Sequence, residues 1–287
     1  MLGIKRSGRR KWTWFWFVLP SLLGVAWFVL LPFTDVVRRS FSQTMNGVFV
    51  GLQNYDTVLH NGAFLQAGGN TVRFVLICIP ALIVLSLLVA LALYGHPQQA
   101  GVFKTTFLIP MAIPVASVVL LWKVLFHQNG LLSAFLGGLG LQGMDWMKTG
   151  FSFWVLVVSY IWKNLGYDMI LWLAGLSGIS PSLYEAAAVD GAGKLKCFTA
   201  ITLPNLLPTL YTITVLSFLN SFKVFREAYL VAGDYPHSSM YLLQHLFNNW
   251  FADLDMDKLC AAAVLVGLII FGLILLLRRA WEGEGEL

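Results

Sequence analysis

The chain has 287 residues, of which 58% are hydrophobic and 11% are charged, and its formal net charge is +5. Soluble domains carry about 25% charged residues, so this composition excludes an ordinary soluble enzyme and indicates a protein solvated mainly by lipid. The basic excess does not indicate a nucleic-acid partner, because the lysines and arginines cluster next to apolar runs, as they do in membrane proteins.

Six segments have the length and apolar character of membrane-crossing helices, which need roughly 20 residues. The first follows a basic segment, residues 1–11, and exceeds the roughly 7–15 residues of a signal-peptide core, so we expect a retained helix. We therefore predict an all-α integral membrane protein with one transmembrane domain, residues 12–278, and a tail, residues 279–287. The predicted spans are Trp12–Thr34, Phe74–Tyr94, Thr105–Trp122, Phe151–Leu173, Asn205–Phe222 and Leu259–Leu277.

The distribution of basic residues predicts that both termini are cytoplasmic. With six spans and a cytoplasmic N-terminus, the inner segments hold ten lysines and arginines and the outer segments hold six. Cytoplasmic loops carry the excess of these residues in membrane proteins. Arg38 and Arg39 lie just outside the first span, where Asp35 is placed to pair with them.

The longest inner loop, residues 180–204, has strong helix signals. Ser180 and Pro181 form a favourable N-cap and first-turn pair, while Ser182 with Glu185 alternatively fits a capping box. An alanine run follows, and Gly191 is suited to end the helix because glycine adopts positive φ. A second helical stretch is expected over Lys194–Thr202, with Pro204 permitting a new start into the fifth span. The loop is thus predicted to be a helix–turn–helix on the inner membrane surface.

The stretch EAAAVDGAGKLKCFTAITLP resembles the EAA loop of binding-protein-dependent ABC importer permeases. Leu195 departs from that family pattern, because many relatives carry Trp there. Segments flanking the loop, such as EAYLVAGDYPHSSMYLLQHLF, resemble the carbohydrate-uptake members of the family. The matching loop residues are Glu185, Ala186, Ala187, Asp190, Gly191, Ala192, Phe198, Ile201, Leu203 and Pro204.

The resemblance implies a permease subunit of an ABC importer for a sugar, oligosaccharide or glycerol phosphate, in a bacterial or archaeal cytoplasmic membrane. Its partners would be a second permease, two ATPase subunits and an external solute-binding protein. The second permease is usually a different but similar chain, and each ATPase subunit holds one EAA loop. ATP and magnesium would be bound by the ATPase subunits, so the permease itself has no cofactor and no catalytic residues. The same resemblance leaves the solute unidentified.

Two glycine motifs in the chain do not indicate a nucleotide site. The sequence GAGK (Gly191–Lys194) lacks the first glycine and the final Ser or Thr of a Walker A motif. The sequence GLGLQG (Gly138–Gly143) lacks the strand–turn–helix context of a dinucleotide-binding motif. The five histidines and three cysteines show no metal-ligand spacing, so no metal site is expected.

Two charged residues, Lys163 and Asp168, lie within the fourth predicted span, where a charge is costly unless it faces the protein interior or a partner. Because they are five positions apart, they lie on different faces of a helix, and an ion pair between them is not expected. The resemblance implies that the middles of the fourth and fifth spans line the solute path. Polar side chains there suit sugar hydroxyls, which need both hydrogen-bond donors and acceptors. Alternatively, these side chains form hydrogen bonds with one another or with the partner permease. The candidate residues are Lys163, Asn164, Tyr167, Ser217, Asn220 and Ser221.

Two alternative functions are open at this stage. The first is an ABC permease for a solute that is not a carbohydrate. The second is an ion-driven secondary transporter or channel, which is disfavoured because the sequence shows neither an intramembrane acidic relay nor an evident inverted repeat.

Overall fold

The computed structural model describes residues 10–282. Most of the predicted basic segment 1–11 and of the predicted tail 279–287 therefore lies outside the described residues. Within the described part the chain is helical almost throughout, and the only β feature is an isolated antiparallel bridge between Ser42 and Phe49. The predicted all-α class is confirmed.

Fourteen α-helices occur between residues 10 and 282, and some of them are joined end to end by a π turn or a 3-10 turn. The π turns are Ala26–Leu30 and Phe198–Thr202, and the 3-10 turns are Trp146–Lys148, Phe222–Val224 and Ser238–Met240. The α-helices are α1 (Arg10–Val25), α2 (Leu31–Ser40), α3 (Gln53–Leu59), α4 (Gly62–Tyr94), α5 (Pro97–Ala112), α6 (Val115–Phe126), α7 (Leu131–Gly138), α8 (Ser152–Ser177), α9 (Pro181–Val189), α10 (Lys194–Cys197), α11 (Leu203–Ser221), α12 (Phe225–Ala232), α13 (Leu243–Ala252) and α14 (Met256–Glu282).

Five helical segments in the described chain are long and apolar enough to cross a membrane. The predicted fourth span corresponds to α8, which has 26 residues, carries Lys163 and Asp168, and is not among these five segments. Since α8 packs against α4, α5 and α11, its polar side chains are enclosed by protein. The five segments are Phe15–Ser40, Gly62–Tyr94, Val115–Gly138, Lys194–Ala232 and Met256–Arg279.

The predicted third span, Thr105–Trp122, is wrong as a single helix. The chain forms α5, leaves helical geometry at Ile113, with φ −71° and ψ 129°, and restarts as α6 after Pro114. Proline lacks the backbone N–H of a helix interior, and it pushes the preceding residue toward extended geometry. The break makes the first half of this predicted span a separate helix packed against α8.

The chain divides into two compact units, one formed by residues 10–61 and 250–270 and the other by residues 62–249 and 271–282. In the first unit Asp35 pairs with Arg38 at 2.9 Å and with Arg39 at 2.6 Å. This confirms the pairing expected from the sequence. The carboxylate of Asp257 in the same unit accepts the backbone N–H of Thr44 at 2.7 Å.

The second unit has two apolar clusters along α8. One includes Phe74, Phe153 and Tyr160, and the other includes Met169, Trp172 and other buried side chains. Two buried indole groups in this unit are paired: the Nε1–H of Trp172 donates to Ser86 at 3.1 Å, and that of Trp122 donates to Ser159 at 2.9 Å. Such pairing is needed because an unpaired polar group is costly away from water.

Gly166 is the position where α8 comes closest to α5. A methyl group added there would overlap the backbone carbonyl of Phe107, and backbone cannot move aside as a flexible side chain can. We expect Gly166→Ala to separate the two helices and to lower the free energy of unfolding by about 1–3 kcal/mol or more. Thermal unfolding in detergent measures this effect.

A matched control is Gly69→Ala in α4, where nothing lies within 4 Å of an added methyl. There the better helix propensity of alanine is expected to stabilise the protein by up to about 1 kcal/mol. Equal midpoints for the two variants would contradict the close contact between α8 and α5.

Candidate functional site

The loop of residues 180–204, called the EAA loop below for its resemblance, begins with the helix α9, which starts at Pro181 after Ser180. Ser180 thus occupies the N-cap position and Pro181 the first turn, as predicted, although the side chain of Ser180 makes no capping hydrogen bond. The alternative capping box is not formed, since Ser182 lies inside the helix and its hydroxyl contacts that of Ser180 at 2.8 Å.

Gly191 ends α9 as expected, with φ +72°. The backbone N–H of Ala192 donates to Ala187 at 2.9 Å, and that of Gly191 donates to Ala188 at 3.1 Å. These two bonds form a Schellman motif, which satisfies carbonyl groups that the helix end would otherwise leave unpaired. The positive φ requires glycine here for conformational reasons alone, because a Cβ atom would meet nothing within 4 Å.

The second half of the loop differs from the expectation of a separate helix. The helix α10, the π turn Phe198–Thr202 and α11 run on without interruption as one helical segment, Lys194–Ala232. Pro204 does not start a new helix: it lies in the first turn of α11, just after the π turn. Since that turn already shifts the hydrogen-bond register, the missing N–H of a proline is tolerated there.

The two halves of the loop are connected by one polar contact and by packing against a buried apolar cluster. The hydroxyl of Tyr184 lies 2.9 Å from that of Thr202. Tyr184 and Ile201 also pack against the buried cluster that includes Leu176 and Leu206. Tyr184 therefore connects α9 to the ends of α8 and α11.

The outward side of the loop is apolar and uncovered. Val189 is 89% exposed and Leu195 is 77% exposed, so Leu195 makes no packing contact of the kind a core residue makes. Glu185 is also exposed and borders an open groove of about 430 Å³ next to Tyr184. Such a surface of small and apolar side chains on a short helix suits docking into the groove of another protein.

The predicted path residues fall in two different environments. Lys163, Asn164 and Asn220 line a small polar cleft of about 140 Å³ formed by α8, α11 and α12. Lys223 and Glu227 also line this cleft. The structure therefore brings three of the six candidates together.

The other three candidates lie outside the cleft lining. Ser217 is buried and donates to the carboxylate of Asp168 at 2.8 Å, while Ser221 is buried and donates to the carbonyl of Phe218 at 2.6 Å. Tyr167 is half-buried on α8. The bond of Ser217 is an instance of the alternative in which these side chains satisfy one another.

Glu227, the electrostatic partner of Lys163 in the cleft, was not predicted from the sequence. Its carboxylate is 2.5 Å from the ammonium of Lys163, and the residue is only 5% exposed. Lys163 and Asp168 do not pair with each other, as expected. The sequence indicated this contact only indirectly, because a lysine within a span requires a counter-charge. It did not indicate which carboxylate, since Glu227 is 64 positions away and lay in a predicted outer loop.

The cleft presents both hydrogen-bond donors and acceptors. One oxygen of Glu227, Oε2, is buried and has no partner among the described residues. The amide oxygen of Asn220 accepts from Lys223 at 2.7 Å, and the amide nitrogen of Asn164 donates to the carbonyl of Tyr160 at 2.8 Å. The other amide atoms of these asparagines are left to bind hydroxyl groups, which both donate and accept.

Comparison with known proteins identifies related membrane components. A family model described as binding-protein-dependent transport system inner membrane component matches residues 43–281. The trehalose/maltose transport system permease protein MalF of Thermococcus litoralis is 32% identical over 240 residues, which are 82% of this chain and 81% of that protein. The sn-glycerol-3-phosphate transport system permease protein UgpA of Pectobacterium atrosepticum is 27% identical over 92% of each chain. The sulfoquinovosyl glycerol transport system permease protein SmoG of Agrobacterium fabrum is 30% identical over 87% of this chain and 82% of that protein.

The fold is also similar to that of solved structures. A chain from the crystal structure of a bacterial alginate ABC transporter, in complex with an alginate pentasaccharide-bound periplasmic protein, aligns with a TM-score of 0.81. The alignment covers 94% of both chains at 21% identity. A second alginate transporter structure aligns with a TM-score of 0.79, also at 21% identity. At this identity the likeness establishes the fold alone.

Proposed function

This chain belongs to the family of binding-protein-dependent transport system inner membrane components, and from that premise we propose that it is a permease subunit of an ATP-driven ABC importer for a carbohydrate-type solute. The observation that carries the proposal is the geometry of the EAA loop. Its helix α9 ends in a Schellman motif at Gly191 and presents exposed apolar residues, while Tyr184 ties it to the start of the helix leading into α11.

The carbohydrate class is supported by the relatives and by the chemistry of the cleft. The similar permeases are named for trehalose and maltose, glycerol phosphate and sulfoquinovosyl glycerol. All of these solutes carry several hydroxyl groups. The polar cleft offers unfilled donors and acceptors together, which is what hydroxyl groups require, so we assign Lys163, Asn164, Asn220 and Glu227 to the solute path.

In this proposal, partner subunits supply the energy for transport by hydrolysing ATP. Each of two ATPase subunits, which bind ATP and magnesium, holds one EAA loop through residues such as Glu185, Asp190 and Gly191. Closure of the ATPases moves α9, and the contact between Tyr184 and Thr202 passes that movement to α8 and α11. The permease then alternates between two states, one of which is favoured by bound ATP.

The remaining partners follow from the same arrangement. A second permease, different from this chain but similar to it, completes the path, and an external binding protein delivers the solute. Both termini face the cytoplasm, which places the EAA loop on the side where ATP is available. The permease is a multi-pass protein of the cytoplasmic membrane and performs no catalysis itself.

Transport by the reconstituted complex tests this function. Proteoliposomes containing the two permeases, the ATPase and the binding protein would be given a panel of neutral sugars, oligosaccharides and glycerol phosphates. We expect ATP-dependent accumulation of one solute that persists when ionophores dissipate all ion gradients. Uptake that needs an ion gradient and proceeds without ATP would instead support a secondary transporter. ATP-dependent uptake of a solute outside the panel would retain the importer and refute the carbohydrate class.

A further inference from the structure

A large cavity lies apart from the EAA loop and the polar cleft. It has a volume of about 730 Å³ and is formed by the end of α6, the 3-10 turn Trp146–Lys148 and the segment that follows α12. We call it the α6 groove and define it by Leu120, Lys123, Val124, His127, Lys148 and His237. None of its lining residues is shared with the polar cleft.

One face of α6 lines the groove with both apolar side chains, Leu120 and Val124, and a cationic side chain, Lys123. Leu120, Lys123, Val124 and His127 are spaced at three and four positions, which places them on one side of the helix. Leu120 is 64% exposed and Val124 is 56% exposed, although both belong to a segment apolar enough to cross a membrane. Exposed apolar side chains on such a segment are suited to contact the acyl chains of lipids.

The other end of the groove is rich in hydrogen-bond donors. Lys123 is exposed and makes no side-chain hydrogen bond or ion pair within residues 10–282. His127 and His237 each accept a backbone N–H at Nδ1, at 3.2 Å and 3.3 Å respectively. In the neutral ring the proton is then on Nε2, so both histidines are left as donors.

The single carboxylate of the groove, Asp145, is already partly neutralised. It accepts the backbone N–H of Met147 at 3.2 Å and lies 3.5 Å from the ammonium of Lys148. With neutral histidines, two lysines and one aspartate leave the lining with one net positive charge. The charged end of the groove therefore matches a singly charged anion.

We propose that the α6 groove binds an anionic phospholipid, with the phosphate held by Lys123, Lys148 and the two histidines and an acyl chain lying along Leu120 and Val124. A soluble phosphate would use the donors but not the exposed apolar half. A zwitterionic lipid would use the apolar half but would bring a second cation close to two lysines. The groove lies at the C-terminal end of α6 and includes the neighbouring turn that carries Lys148.

Lipid retention by the assembled importer tests the site. The complex would be purified in detergent, supplied with phosphatidylglycerol or phosphatidylcholine, and examined by native mass spectrometry and thermal unfolding. We expect phosphatidylglycerol to be retained and to raise the unfolding midpoint, and phosphatidylcholine to do neither. In Lys123→Gln/Lys148→Gln, binding of phosphatidylglycerol should weaken about 10- to 30-fold.

The matched control is Lys194→Gln/Lys196→Gln, which removes the same charge from the exposed EAA loop and should leave phosphatidylglycerol binding unchanged. Because Lys148 is exposed, Lys148→Gln alone cannot disturb folding and should weaken binding several-fold. Equal binding of the two lipids, or equal losses in the groove and loop variants, would overturn the proposal. Displacement of the lipid by millimolar inorganic phosphate would also overturn it, in favour of a site for soluble anions.

Discussion

Replacement of Glu227 by leucine will leave the ammonium of Lys163 without its counter-charge in the polar cleft. The expected cost is about 3–5 kcal/mol of stability, because removal of one partner of a buried ion pair leaves an uncompensated charge. Thermal or denaturant unfolding of the purified protein in detergent measures this loss. Transport should also fall, since the cleft would lose an acceptor and gain a free cation.

The double variant Lys163→Met/Glu227→Leu separates the pair from the individual side chains. Replacing both charges by apolar groups of similar volume is often neutral or stabilising, so the double variant should recover most of the stability lost by Glu227→Leu. It should not recover transport, because the cleft would lack its polar groups. If Glu227→Leu alone proved as stable as the native chain, the pair would not be the buried contact that the 2.5 Å distance implies.

Replacement of Gly191 by valine will lower both solute-stimulated ATP hydrolysis and transport without removing the protein from the membrane. A β-branched residue resists the φ of +72° found at this position, and the left-handed conformation costs roughly 1–2 kcal/mol for an ordinary L-residue. The Schellman motif would open and α9 would lose its fixed direction. We expect solute-stimulated ATPase activity and uptake to fall at least severalfold, with Gly191→Ala affected less than Gly191→Val.

Gly191→Asn provides the matched control, because asparagine tolerates the left-handed conformation better than other residues with a side chain. An added Cβ atom meets nothing within this chain, so Asn should retain most of the activity. If Asn and Val were equally inactive while the protein level stayed normal, the constraint would come from a partner surface rather than from the backbone. Full activity in Gly191→Val would refute the role of the turn.

The elements that could be predicted from the sequence are those that depend on local patterns. The lengths of the apolar segments predicted the positions of most spans. Both ends of α9 were predicted from Ser180, Pro181 and Gly191. These residues act through local backbone conformation, which needs no distant partner. The pairing of Asp35 with Arg38 and Arg39 was likewise accessible, since the three residues lie within one helical turn of each other.

The features that the sequence did not reveal depend on competition between local preferences or on tertiary contacts. Thr105–Trp122 is apolar enough for a continuous helix, yet Pro114 breaks it. Pro204 was expected to start a new helix, but the helix continues through it from the preceding π turn. Glu227 meets Lys163 only when the helical segment Lys194–Ala232 packs along α8, and no spacing within either helix indicates that contact.

Capture of an ATPase by this chain is the most direct test of coupling through the EAA loop. The chain would be purified with co-expressed partner subunits in a mild detergent, and ATP hydrolysis would be measured with and without the solute-loaded binding protein. We predict that an ATP-hydrolysing subunit co-purifies and that loaded binding protein stimulates its activity. Absence of any ATPase from the purified complex, together with solute uptake driven by an ion gradient, would contradict the docking role of residues 180–204.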